Sequence, residues 1–137
     1  MKKFISIILV LLMLISFSAC ESFVVRGDSV YIKLYNGTGK NLKIITLDEY
    51  EDSVLKSTIA AENADKSSYR PGENLIFEVL FANPQSLSFV IETEDEHQNR
   101  YSSKAVSASE FCRGVIYAYS AEIAGSRLVL NYEGAES

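Results

Sequence analysis

The 137-residue chain has one histidine, His97, and only two cysteines, Cys20 and Cys112. It also lacks a basic excess: 13 Lys and Arg stand against 18 Asp and Glu, a formal net charge of −5. Nucleic acid demands clustered Lys and Arg to meet its phosphates, so this balance argues against that partner. A zinc site takes Cys, His or carboxylate ligands in fixed number, and one histidine far from Cys112 supplies a poor set. No nucleophile elbow, phosphate loop or dinucleotide fingerprint occurs, so no cofactor and no metal is expected. Enzymatic activity becomes the minority expectation. The one long apolar run, Phe4 to Phe17, falls short of the roughly 20 residues a spanning helix needs. A transmembrane anchor is therefore disfavoured.

What is present begins at the N-terminus. Met1-Lys2-Lys3, the apolar run and the small pair Ser18-Ala19 are the three parts of a secretory signal. Removing residues 1–19 takes away Lys2 and Lys3 and leaves the remainder more acidic still. A cysteine directly follows the small pair. The segment Ser16-Phe17-Ser18-Ala19-Cys20 resembles the bacterial lipobox, with Phe17 where Leu is commonest. The resemblance implies that Cys20 becomes the new N-terminus and carries a diacylglyceryl thioether. Stable anchoring takes at least two lipid signals, and a multiply acylated cysteine provides them. The implied partner is a membrane, reached through lipid on Cys20, and the implied location is the bacterial cell envelope. Glu21 is not the aspartate that resembles an inner-membrane retention signal, so the outer membrane is expected where there is one. Lipid on Cys20 would leave Cys112 a lone thiol, and its neighbours Phe111 and Val115 suggest that it packs as a small hydrophobe.

Residues 20–28 read as a lipidated tether, 29–133 as one domain and 134–137 as a flexible tail. From Ser29 the hydrophobic period is two, the mark of half-buried strands. Val30, Ile32 and Leu34 share a face, Asn36-Gly37-Thr38-Gly39 turns, and Asn41 to Leu47 returns, which predicts a β-hairpin. Leu75, Phe77, Val79 and Phe81 alternate, as do Leu87, Phe89 and Ile91, with Asn83-Pro84-Gln85 between, which predicts a second hairpin. Leu47, Tyr50, Val54 and Ile59 suit one helical face, so a short helix around 48–60 competes there with an irregular strand. The expectation is an all-β antiparallel sandwich of six to eight strands. Tyr69-Arg70-Pro71-Gly72-Glu73 before an alternating strand loosely resembles immunoglobulin-like and transthyretin-like modules, which implies the same architecture.

Few residues point to chemistry. Glu94-Asp95-Glu96-His97-Gln98-Asn99 reads as a solvated hairpin tip rather than a cation site, for it lacks the spacing of a calcium loop. Asp48, Glu49, Glu51 and Asp52 read as a solvated face. Arg26-Gly27-Asp28 spells an adhesion tripeptide in the tether, with the chance-match risk of any short motif. Asn36-Gly37-Thr38 reads as a turn rather than a glycosylation site. Tyr31 and Tyr35 lie opposite the core triplet of their strand, and Tyr117 and Tyr119 share a face of theirs. Tyrosine joins apolar area to a polar tip, so these four are the candidate recognition surface. The leading expectation is a non-enzymatic binding module at the envelope, engaging an envelope or secreted protein. An anchored inhibitor or immunity-type protein comes second and an envelope hydrolase third.

Overall fold

The structure, a computed structural model, describes residues 27–63, 65–80 and 86–136. Among these the regular structure is all strand: β1 Val30–Asn36, β2 Leu42–Glu51, β3 Val54–Ala61, β4 Asn74–Val79, β5 Leu87–Asp95, β6 Arg100–Ser102, β7 Val106–Ser107, β8 Ile116–Ala124 and β9 Arg127–Glu136. They form one mixed sheet in the order β3-β2-β5-β6-β9-β8-β1-β4, with β7 beside β5. The sheet folds over on itself into a nearly closed, barrel-like shape. A single parallel bridge, Ser102 to Arg127, joins its two halves through β6 and β9.

The alternation in the sequence places the core correctly. Val30, Ile32 and Leu34 of β1 and Leu75, Phe77 and Val79 of β4 pack toward Leu47 of β2 and Leu87, Phe89 and Ile91 of β5. All of these are buried. Phe81 and the Asn83-Pro84-Gln85 turn lie outside the described residues.

Strand pairing departs from expectation in two places. β1 does not pair with β2: it lies between β4, antiparallel, and β8, parallel. The Asn36–Asn41 connection instead carries the chain from one half of the sheet to the other. Its geometry is fixed by Asn36, whose Oδ1 accepts from the Thr38 N–H at 3.1 Å and whose Nδ2 donates to the Lys40 and Tyr69 carbonyls. β4 does not pair with β5 either; β5 lies between β2 and the short strands β6 and β7. The sheet is therefore mixed rather than antiparallel, and it has nine strands rather than six to eight.

Residues 48–60 contain no helix. β2 and β3 form a hairpin turning at Asp52 and Ser53, both at positive φ (48° and 66°), the conformation of the tight turn that matches strand twist. The register shifts between Glu49 and Tyr50, where Lys56 is the extra residue. That bulge breaks the period of two and produces spacing that mimics a helix. At the C-terminus β9 stays paired through Glu136, opposite Ile116, so the ordered strand outruns the expected boundary at 133.

Two further turns carry glycines at positive φ. Pro71-Gly72 sits in a turn closed by Glu73 N–H to the Arg70 carbonyl at 3.1 Å, with Gly72 at φ 90°. That φ requires glycine, and Pro before it is the matching pair. Gly125-Ser126 links β8 to β9, with Ala124 opposite Arg127.

Candidate functional site

Strand direction sorts the loops onto two ends. β1 starts at Val30, opposite Val79 at the end of β4, and the Gly114 N–H donates to the Ser29 carbonyl at 2.7 Å. The β2–β3 turn joins this end, because the Asp52 N–H donates to the Ser86 carbonyl. This is the tether end. The opposite, distal end carries the connections 37–41, 62–73, 96–99 and 125–126.

Three distal loops interlock. Glu96 accepts from Ser68 Oγ at 2.9 Å and from Asn41 Nδ2 at 3.2 Å, joining the third loop to the other two. Tyr69 exchanges backbone hydrogen bonds with Leu42 at 2.7 and 2.9 Å, which ties the long loop to the start of β2. Beneath them lies Asp95, only 2% exposed. Its Oδ1 accepts from the N–H groups of His97 at 2.8 Å and Asn99 at 3.0 Å, and its Oδ2 accepts from Asn99 Nδ2 at 3.0 Å. Tyr101 Oη lies 3.4 Å from the same carboxylate and Lys40 Nζ 3.8 Å. The Asn99 hydrogen bonds hold the Asp95 pKa down to about 2 against the opposing effect of burial; the His97 N–H and Lys40 also lower it.

Asp95 therefore differs from expectation. The 94–99 segment is a hairpin tip, but its second acid turns inward and organises the tip from below. An Asp that accepts hydrogen bonds from its own turn two and four residues on is a known device, and it was the available signal in Asp95-x-His97-x-Asn99. Glu94 is paired with Arg100 at 3.1 Å. Among the described residues no group of three His, Cys, Asp or Glu side chains is arranged to hold a metal. His97 is exposed at the tip.

Two hollows adjoin this end. An open groove of about 420 Å³ crosses the outer face of β2, β5 and β6 between Ile44, Thr46, Glu92 and Arg100. A broader, shallower one lies along the long loop beside Asp65, Tyr69 and Glu73. Burial, with Glu73 and Glu62 nearby, raises the Tyr69 pKa. A side-chain hydrogen bond with Ser67 lowers that of Asp65. Glu62, Asp65, Glu73 and Glu96 are all exposed, as are Lys66 and Arg70, and Lys66 pairs with Glu62 at 2.8 Å, so the end carries charges of both signs.

The four candidate tyrosines do not form one exposed surface. Tyr31, Tyr117 and Tyr119 are buried, and Tyr35 alone is exposed, at 43%. Tyr117 and Tyr119 face the core within a run of rings: Tyr117 stacks on Phe111 at 3.9 Å, Phe111 lies 6.0 Å from Phe89, and Phe89 lies 5.9 Å from Tyr119. Tyr119 then meets Tyr132 at 5.4 Å, and Tyr132 reaches solvent. Burial raises the Tyr117 pKa and pushes that of Tyr119 up to about 12. The sequence shows that Tyr117 and Tyr119 share a face, and alternation alone does not say whether that face is inner or outer.

Cys112 also differs: it is exposed, not packed. The Tyr117 hydroxyl accepts from its N–H at 2.7 Å, so the loop is pinned by its backbone while the thiol faces outward. Native protein should therefore label at Cys112 with a water-soluble maleimide as fast as the denatured chain does, by mass spectrometry. Protection until denaturation would contradict the exposure. Cys20 and Arg26 lie outside the described residues; Gly27 and Asp28 are exposed.

No family model and no curated protein matches the sequence. Among solved structures, an NMR structure of a protein from Eubacterium rectale superposes with a TM-score of 0.50 at 10% identity, covering 80% of this chain and 92% of that one. The likeness is one of fold. A candidate cell adhesion protein from Bacteroides uniformis ATCC 8492 gives a TM-score of 0.46 at 12% identity, covering 80% of this chain and 50% of that one. The type VI secretion (T6SS) lipoprotein TssJ1 from Pseudomonas aeruginosa gives 0.43 at 14% identity, covering 81% and 100%. Nothing about function follows from superpositions of that quality.

Proposed function

We propose that the protein is a lipid-anchored, non-enzymatic binding module of the bacterial cell envelope, whose distal loops engage a protein partner. The observation that carries this reading is polarity: the chain enters the domain at one end, and the loops organised by Asp95 lie at the other. A lipid on Cys20 would hold the first end to a bilayer and turn the second away from it. The hydrogen bonds accepted by Asp95 and Glu96 and those made by Asn36 fix the loops in advance, which lowers the ordering cost of binding. Exposed charges of both signs on these loops, Asp65, Glu73 and Glu96 beside Lys66 and Arg70, favour a partner that meets them with a complementary pattern of charge. The neighbouring carboxylates Glu94 and Asp95 are engaged by Arg100 and by the turn, which takes them out of acid–base chemistry.

A photo-crosslinking residue at Lys40 or Glu96 should trap the same envelope protein in intact cells, and one at Thr58, on the side of the domain, should not. Adducts from Thr58 alone would move the binding surface off the distal end. Cys20→Ser should leave an unlipidated precursor that no longer partitions into detergent phase. A variant that matures and fractionates normally would overturn the anchor.

A further inference from the structure

The exposed large apolar side chains among the described residues are Tyr35, Val54, Leu55, Leu80, Val129 and Tyr132. Three of them share the tether end. Val54 and Leu55 follow the Asp52-Ser53 turn and are 57% and 51% exposed; Leu80 follows the end of β4 and is 68% exposed. The first two open an edge strand, since β3 ends the sheet order. Apolar side chains on an open edge invite association unless something covers them.

We infer that this end of the domain docks on the bilayer to which the lipid anchor holds it, with Val54, Leu55 and Leu80 entering the interface. The inference rests on the lipoprotein reading of Cys20. Residues 20–28, fully extended, reach about 30 Å, so the domain cannot leave the neighbourhood of the membrane. The domain begins at Ser29, at the same end as these three side chains, so the shortest path from lipid to domain brings them down onto the headgroups. Tethering makes the second contact intramolecular, and even a weak apolar contact is then populated. The charges beside the patch suit a shallow position. Lys56 pairs with Glu51 at 3.6 Å, and Asp52 at the turn tip keeps insertion at headgroup level. Apolar burial supplies the contact, because the acidic domain gains nothing from anionic lipid. Docking of this kind fixes the domain upright and presents the distal loops outward.

The lipidated full chain, with Cys112→Ser, carries a nitroxide at Leu55→Cys, Leu80→Cys or Ser126→Cys and is reconstituted in phosphatidylethanolamine–phosphatidylglycerol vesicles. Flotation and relaxation by an aqueous nickel complex are measured on each sample. The expected result is flotation of all three, with vesicles shielding the labels at Leu55 and Leu80 from nickel and leaving Ser126 fully accessible. Adding Val54→Glu to the Leu80-labelled protein should abolish the shielding without affecting flotation. Flotation with Leu55 and Leu80 as accessible as Ser126 overturns the docking and leaves the anchor standing. Failure to float overturns both. Shielding already present in detergent solution, before vesicles are added, assigns the patch to a second copy of the chain and also overturns the docking.

Discussion

Phe89→Ala is expected to destabilise the domain by about 3–5 kcal/mol, the usual cost of truncating a fully buried Phe. Phe89 has no exposed surface and lies near the start of β5, between β2 and β7. Its ring lies 6.0 Å from Phe111 and 5.9 Å from Tyr119, so it joins the loop before β8 to the strand itself. These neighbours belong to both halves of the folded sheet, and they cannot all collapse into the space left behind. A domain of this size has roughly 5–15 kcal/mol in total, so the variant should lose a large share of its stability. Urea melts measure the loss. Val90→Ser, on the outer face of the same strand, should cost much less, because Val90 is only partly buried. Equal losses at the two positions would mean that the outer face is covered as well.

Asp95→Asn is expected to lower the melting temperature by several degrees at neutral pH and to make its fall in acid shallower. The carboxylate accepts from two backbone N–H groups and from Asn99, and an amide can accept through one oxygen only. Its pKa is held down to about 2 in the folded protein, against about 3.9 for an unperturbed Asp. A depressed folded pKa means that the unfolded chain binds the proton first as pH falls. The stabilisation is therefore complete above about pH 4 and is lost between about pH 4 and 2. Melting temperatures of wild type and variant should differ most at neutral pH and converge toward pH 2. A gap that stays constant with pH would mean that the charge of Asp95 contributes nothing to the fold. The same variant should weaken crosslinking from Lys40 and Glu96, because Asp95 supports the loops that carry them.

The anchor reading rests on local sequence alone. Signal, small pair and cysteine must coincide in register, and no tertiary contact is needed to recognise them. Core membership was legible for a related reason. Period-two alternation places every second side chain on one face, and Ile32, Phe77, Phe89 and Ile91 were found from it. The Pro71-Gly72 pair was legible because its turn needs a φ that few residues other than glycine adopt.

Pairing was decided only by the tertiary structure. Alternation says which face of a strand is apolar and nothing about its neighbour. β1 meets β8 across more than eighty residues of chain, in a parallel register that no local turn could announce. Edge strand β3 gave no alternation to read, because an edge with an exposed face buries little, and its bulge shifted the remaining pattern into helical spacing. The tyrosines were misplaced for the same cause: Tyr117 and Tyr119 are inward because β8 pairs with β1 in a register that sets them beside the buried Ile32 and Leu34, a fact of the sheet and not of the strand. Asp95 shows the limit most plainly. Its local turn is written in three residues, but Lys40 and Tyr101 reach it only when separate strands converge, and that convergence makes a hairpin tip into the support of an entire end.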